Sequence, residues 1–196
     1  MDLYKALRKS LEESPIVWKG DYAYFVNPIS DGVPRINPDL LDLIAKSIEK
    51  MIDWNKIDVI LGIEAMGLPI STLLSSRMKK PLLIVRKRSY GLKGEVCINQ
   101  KTGYSKGELY INDLNEGEKV LIVDDVLSTG GTMNSIIEGI KSFNAIVENI
   151  VIIFEKGDGL QKLKQKTNLN IQSLIRVDTV SYTHLRAHET GRNLVC

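Results

Sequence analysis

Residues 120–132 read Val-Leu-Ile-Val-Asp-Asp-Val-Leu-Ser-Thr-Gly-Gly-Thr: four apolar residues, two adjacent acids, then a turn rich in hydroxyls and glycines. A short apolar run bounded by such a turn reads as a strand buried on both faces, which occurs where helices cover a parallel sheet. A helix follows from about Thr132 to Lys141. The same alternation recurs along the chain. Strands are expected at Val59–Ile63, Leu82–Arg86, Val120–Val123 and Ile146–Phe154, and helices from about Ile70 to Arg77 and near Leu160–Lys164. Ahead of them Asn37 and Pro38 open a segment whose apolar positions, among them Leu40, Leu41, Ile44 and Ile48, recur at helical spacing. The pattern predicts an α/β fold, a central mostly parallel sheet flanked by helices, with ligands at the carboxyl ends of its strands.

The turn after the acids has definite chemistry. Gly130 and Gly131 let backbone come close to a ligand, and amides at a helix start, joined by the hydroxyls of Ser128, Thr129 and Thr132, form a cradle for a phosphate. Asp124 and Asp125 repel phosphate, so they need a partner that is cationic or rich in hydroxyls, and vicinal ribose hydroxyls suit them. A sugar phosphate satisfies both halves. The other signatures that hold nucleotides, G-x-x-x-x-G-K-[ST] and G-x-G-x-x-G, do not occur in the chain. A receiver domain also begins with a strand ending in acids, but near its start and without a Ser-Thr-Gly-Gly-Thr turn. The plain alternative is that the glycines only close a core strand.

Composition narrows the classes further. The 196 residues, 43% hydrophobic, suffice for one domain with a core. A net charge of +2 gives no global reason to expect nucleic acid. No apolar run reaches the roughly 20 residues that cross a bilayer, and the start is charged, so a cytoplasmic protein without membrane contact is expected. Two cysteines, Cys97 and Cys196, make neither a disulfide framework nor a metal-ligand spacing.

Two further stretches stand out. Glu64-Ala-Met-Gly67 follows the Val59–Ile63 strand directly and reads as a tight turn that exposes amides at the sheet's carboxyl edge. Between Lys79 and Lys106 there are eight basic residues and one acid, Glu95, and Ser89–Lys106 shows little periodicity. A loop of that length is expected to be functional or mobile.

Together these residues resemble the type I phosphoribosyltransferases, for which the strand, acid pair and Thr-Gly-Gly-Thr turn are the signature. The similarity runs from about Ser14 to Val180 and is nearest to the archaeal hypoxanthine/guanine branch. Residues Pro28–Pro34, Gly62–Pro69 and Arg86–Glu95 carry it. The resemblance implies that fold, with a small hood and a long flexible loop, and implies phosphoribosyl pyrophosphate and a purine base as substrates, Mg2+ as cofactor and a homodimer. It gives Asp124 and Asp125 the ribose hydroxyls and Ser128, Thr129, Gly130, Gly131 and Thr132 the 5′-phosphate. It gives pyrophosphate to Glu64, Ala65, Met66 and Gly67, with phosphate contacts from Arg86 and Lys87 and loop contacts from Tyr104 and Ser105. The metal is carried mainly by substrate, with Asp124 and Asp125 reaching it through water. Val126 would pack on the purine, Tyr24 or Phe25 would supply the hood, and Lys156 would donate to an exocyclic oxygen.

One departure matters. Better-known hypoxanthine-guanine enzymes have an aspartate where this chain has Ser128, and a serine hydroxyl is a poor base near neutral pH. Glu64, Asp125, a bound water or pyrophosphate remain as candidates for the general base. Adenine or xanthine as the accepted base, and a non-catalytic sensor of these ligands, are the rival readings. A DNA-binding sensor would need a helix-turn-helix, for which the residues before Ser14 are too few.

Residues 1–180 are read as the single domain. The final 181–196 hold both histidines, His184 and His188, which as a helix would share one face, yet the segment looks like translated adapter or vector sequence rather than a metal site.

Overall fold

The computed structural model describes residues 2–20, 22–101, 106–180 and 184–189. The chain opens with α1 (Leu3–Glu12), the antiparallel pair β1 (Ile16–Lys19) and β2 (Tyr22–Phe25), and one-turn α2 (Pro28–Asp31). Then come α3 (Pro38–Met51), a 3-10 turn, β3 (Val59–Ile63), α4 (Gly67–Met78) and β4 (Leu82–Val85). A second antiparallel pair, β5 (Val96–Lys101) and β6 (Lys106–Ile111), precedes β7 (Lys119–Leu127), α5 (Gly131–Ser142), β8 (Ile146–Lys156) and α6 (Gly159–Thr167). The last strands are β9 (Ile171–Val180) and β10 (His184–Glu189).

The main sheet runs β10-β9-β8-β7-β3-β4, with only β10 antiparallel to its neighbour. Along β7 and β8 alternate residues face opposite sides, as the pleat requires. Leu121, Val123, Val151 and Ile153 pack with α1, α3 and α4, whereas Val120, Ile122, Ile150 and Ile152 pack with α5 and α6. Both faces are covered, so the middles of β7 and β8, Val120–Val123 and Ile150–Phe154, are apolar on both sides, and each fully buried Leu or Ile contributes about 1.5–3 kcal/mol. The expected mostly parallel architecture is present. No helix among the described residues is long and apolar enough to cross a membrane.

Local signals explain the helix ends. The Asn37 side chain accepts from the amides of Asp39 and Leu40, at 2.8 and 3.4 Å, and Pro38 occupies the first turn of α3. Helix α4 starts at Gly67, three residues before its first fully buried apolar position, Ile70.

Several elements lie where periodicity suggested none. The aperiodic stretch 89–106 contains β5, and its buried Ile98 pairs with buried Leu109 of β6 against α5. The arc before β5 is gathered by Glu95, whose carboxylate accepts from the Ser89 hydroxyl, the amides of Tyr90 and Gly91, and the Asn112 amide. The Ser89 hydroxyl, ahead of the Tyr90 amide, pulls that carboxylate down to about 2. The charged start is a helix, α1, with Leu3, Ala6, Leu7 and Leu11 buried. Residues 184–189 form an edge strand paired to β9, with His184 opposite Val180 and Glu189 opposite Ile175.

Candidate active site

Chain order and sheet order part company between β3 and β7. From β3 the chain steps outward to β4, then returns to place β7 on the other side of β3 and continues to β8 and β9. Such a switch point opens a crevice at the carboxyl edge. The crevice is deepened because β3 pairs with β7 only as far as Val123, while β7 stays paired to β8 through Leu127. Asp124, Asp125 and Val126 therefore stand beside the gap left by β3. The strand runs four residues past the expected Val123, because its pairing with β8 continues.

The two acids are half-buried, and the Asp125 amide donates to Asp124 Oδ1 at 3.0 Å. Burial, then the charge of Asp125, pushes the Asp124 carboxyl well above the usual carboxylate range, and burial also raises Asp125. Two crowded carboxylates at a strand end favour a bound proton or a partner that brings positive charge or hydroxyl donors.

Two turns flank this pair. On one side Glu64–Met66 links β3 to α4, with a cis Glu64–Ala65 peptide. A Cβ on Gly67 would stand 2.8 Å from the Val123 carbonyl oxygen and 3.2 Å from Asp124 Oδ1. Only glycine lets the first turn of α4 lie that close to the acids. The Glu64 carboxylate is paired with Arg86 Nε at 3.0 Å and accepts from the Lys87 amide at 3.2 Å. The structure thus joins Glu64 to Arg86 and Lys87, which lie 22 or more positions away in sequence.

On the other side lies the turn 128–131. Ser128 and Thr129 are exposed, Gly130 at the N-cap of α5 adopts a left-handed conformation with φ +77°, and the Gly131 amide donates to the Thr129 hydroxyl at 3.5 Å. The open amides and hydroxyls suit a phosphate. Sequence reasoning missed what supports this turn. A Cβ on Gly159, the first residue of α6, would fall 1.9 Å from the Ser128 carbonyl oxygen and 2.6 Å from the Thr129 carbonyl carbon. The signal was the Gly-Asp-Gly run 157–159 directly after β8, which breaks the apolar strand abruptly.

Beyond Val126 is an aromatic corner. Phe25 packs edge-on against Phe154, with centroids 6.1 Å apart, and Tyr24 lies nearly parallel to Phe25 at 6.3 Å. Lys156 Nζ stands 5.7 Å from the Phe25 ring centroid. Val126, Lys156, Tyr24 and Phe25 are thus brought to one end of the crevice. Tyr104 and Ser105 lie outside the described residues. A cavity of about 510 Å³ between α1 and the start of α3, lined in part by Lys9, Glu13, Arg35 and Leu40, includes none of the expected site residues.

Residues 34–185 match the phosphoribosyl transferase domain family. The chain is 49% identical to the hypoxanthine/guanine phosphoribosyltransferase of Methanohalobium evestigatum over 88% of this chain and 90% of that protein. It is 48% identical to the protein of that name from Methanocaldococcus infernus, over 89% and 95%. Among solved structures it resembles an adenine phosphoribosyltransferase from Thermoanaerobacter pseudethanolicus, with a TM-score of 0.72, 25% identity, and coverage of 87% of this chain and 98% of that one. The chain belongs to the phosphoribosyltransferase family.

Proposed function

We propose that the chain catalyses phosphoribosyl transfer from phosphoribosyl pyrophosphate to hypoxanthine or guanine, giving IMP or GMP and pyrophosphate in purine salvage. The observation that carries the reading is the half-buried acid pair Asp124–Asp125 between two amide-rich turns at the switch point. The names of the relatives at 48–49% identity support the choice of base.

In this reading the 128–132 turn takes the 5′-phosphate, and Asp124 and Asp125 accept the ribose hydroxyls. The Glu64–Gly67 turn, with Arg86 and Lys87, takes the pyrophosphate. As the C1–oxygen bond to pyrophosphate breaks, positive charge builds on the ribose ring, and the acid pair beneath it stabilises that charge. The C1–nitrogen bond forms as a purine ring nitrogen attacks, and its proton passes to a base. Glu64 is held by Arg86 and Lys87, which leaves Asp125, a water or the departing pyrophosphate as the candidate acceptors. Asp124 and Asp125 would reach, through water, an Mg2+ brought by phosphoribosyl pyrophosphate, which when bound would neutralise the leaving charge. The loop that carries Tyr104 and Ser105, between β5 and β6, would close over the phosphates and exclude water.

The enzyme is proposed to act as a cytoplasmic homodimer. Incubating the purified chain with phosphoribosyl pyrophosphate, Mg2+ and each purine in turn tests the reading. Pyrophosphate release with hypoxanthine and guanine is expected. Turnover of adenine or xanthine alone would replace the base assignment, and transfer to no purine would leave a sensing role for the same crevice.

A further inference from the structure

Three consecutive cations, Arg86, Lys87 and Arg88, leave β4 at the carboxyl edge of the sheet, where Val85 pairs with Ile63 and its carbonyl accepts from the Glu64 amide at 3.1 Å. Like charges this close repel unless something holds them. Arg86 is held in part by Glu64, 3.0 Å from its Nε. Arg88 is exposed and has no carboxylate partner among the described residues. What the two arginines share is a ring: Arg86 Cζ lies 5.8 Å, and Arg88 Cζ 5.7 Å, over the centroid of Tyr90, within reach of a cation–π contact.

The ring is 51% exposed and belongs to neither core cluster, and its hydroxyl makes no hydrogen bond among the described residues. It adds little to the core, yet its backbone is fixed. The Tyr90 amide donates to Glu95 Oε2 at 2.9 Å, and the Gly91 amide donates to Glu95 Oε1 at 3.3 Å and to Ser89 Oγ at 3.2 Å. Gly91 and Gly94, at φ +64° and +86°, let the arc turn back onto that acid. Glu95 therefore spends its carboxylate on the arc and on Asn112, not on the arginines. The kind of holder matters chemically. A carboxylate grips a guanidinium by its N–H edge, taking donors and cancelling charge, whereas a ring attracts it by its face and leaves the donors in the plane open. An arginine held by its face is ready for an anion.

We propose that Tyr90 is a positioning residue for pyrophosphate: its ring holds the Arg86 and Arg88 guanidiniums by their faces, beside the Glu64–Gly67 turn, and leaves their N–H edges to the anion. The proposal rests on the reading of that turn as the pyrophosphate site. It makes the ring itself, rather than the hydroxyl or the bulk of the side chain, the part that acts.

The test measures kcat and KM for phosphoribosyl pyrophosphate, inhibition by inorganic pyrophosphate with Mg2+, and IMP affinity, in the full chain and in Tyr90→Phe and Tyr90→Leu. Phenylalanine keeps the ring and leucine removes it. Tyr90→Leu is expected to raise KM for phosphoribosyl pyrophosphate, and to weaken inhibition by inorganic pyrophosphate, about threefold to tenfold, while Tyr90→Phe stays within about twofold of wild type on both. In both variants kcat, the KM for the base and the affinity for IMP, which carries no pyrophosphate, should stay within about twofold. The melting temperature should hold as well, because the ring covers no core. A leucine variant inhibited by pyrophosphate as wild type is, a phenylalanine variant as impaired as the leucine one, or IMP affinity lost in parallel with pyrophosphate would each overturn the proposal. A wild type that inorganic pyrophosphate does not inhibit in competition with phosphoribosyl pyrophosphate overturns the reading of the turn instead.

Discussion

The two ends of the crevice are built by opposite means. The end proposed for phosphate is mostly backbone: a turn of five consecutive residues, 128–132, whose amides and hydroxyls follow one strand. The end proposed for the base is side chains from three distant segments, Tyr24 and Phe25 from β2, Val126 from β7 and Lys156 from β8, fitted around Phe154. A backbone cradle tolerates little change of position but binds any sugar phosphate. A side-chain corner can be retuned for a new base without disturbing the cradle. Mutations at the two ends should therefore separate: sugar-phosphate binding from one, base choice from the other.

Between the ends sits the acid pair, and its loss should have the largest effect. Replacing both Asp124 and Asp125 with Asn is expected to abolish turnover, a fall of about a thousandfold or more, because ribose hydroxyls and developing charge both lose their partners. The fold should survive, and at pH 7 the ligand-free variant should melt higher than wild type. The sign follows from the raised carboxyls. A folded carboxyl held above its unfolded value, about 3.9, stabilises only while protonated, so wild type loses stability as pH rises and the variant does not. The gap in melting temperature should close below about pH 3.5. A variant that melts lower at pH 7 contradicts this.

Next in size is Gly159→Ala. The new Cβ would meet the backbone at Ser128 and Thr129 and must move the phosphate turn or α6. Displacement of about 1 Å can cost about a hundredfold in rate. The loss should appear in kcat/KM for phosphoribosyl pyrophosphate, while the ratio among bases holds. A changed base ratio would break the separation of the two ends.

Lys156→Met addresses the other end. Hypoxanthine and guanine should lose about tenfold to a hundredfold in kcat/KM and adenine much less, since only the oxopurines lose a bond. Equal falls would assign Lys156 to phosphate or to the fold. The contrast with Gly159→Ala is the sharper result: one variant should move the sugar-phosphate column, the other the base column.

The same contrast governs what could be read in the sequence. The cradle, acid pair and flanking strand and helix are contiguous, so chemistry and periodicity fell in one window at 120–132. Gly67 was read as part of a turn, yet its contact with Asp124 depends on β3 and β7 lying side by side. Gly159 supports a turn about 30 residues away, and the Gly-Asp-Gly run 157–159 marks a break after β8 without saying what that break packs against. The β5–β6 hairpin was hidden because only Val96 and Ile98 on one strand, and Leu109 and Ile111 on the other, turn apolar faces inward among polar neighbours. Helix α1 was hidden by charge: Leu3, Ala6, Leu7 and Leu11 have helical spacing, but Lys and Arg fill the exposed positions between them. Strand β9 sets Ile171, Ile175 and Val177 on one register, but Ser173 on that register and buried Leu174 off it blur the alternation.

The smallest expected effect concerns residues 181–196, whose sequence looks foreign although 184–189 pair with β9. Pairing alone says little about origin, because any extended segment can add to a free strand edge through backbone bonds that do not depend on side chains. Strand β10 joins the sheet at its outer edge, separated from β7 by β8 and β9. Removing it would expose the outer backbone groups of β9, which water can satisfy, and would uncover the part of α1 that rests on it. A chain ending at Val180 is therefore expected to keep kcat/KM for every substrate within about twofold and to bind no less metal, since effects of distant sites are usually independent. A lower melting temperature is compatible with this, because a foreign strand can still cover surface. Lost turnover is not, nor is lost metal: either result would mean that the tail belongs to the working protein.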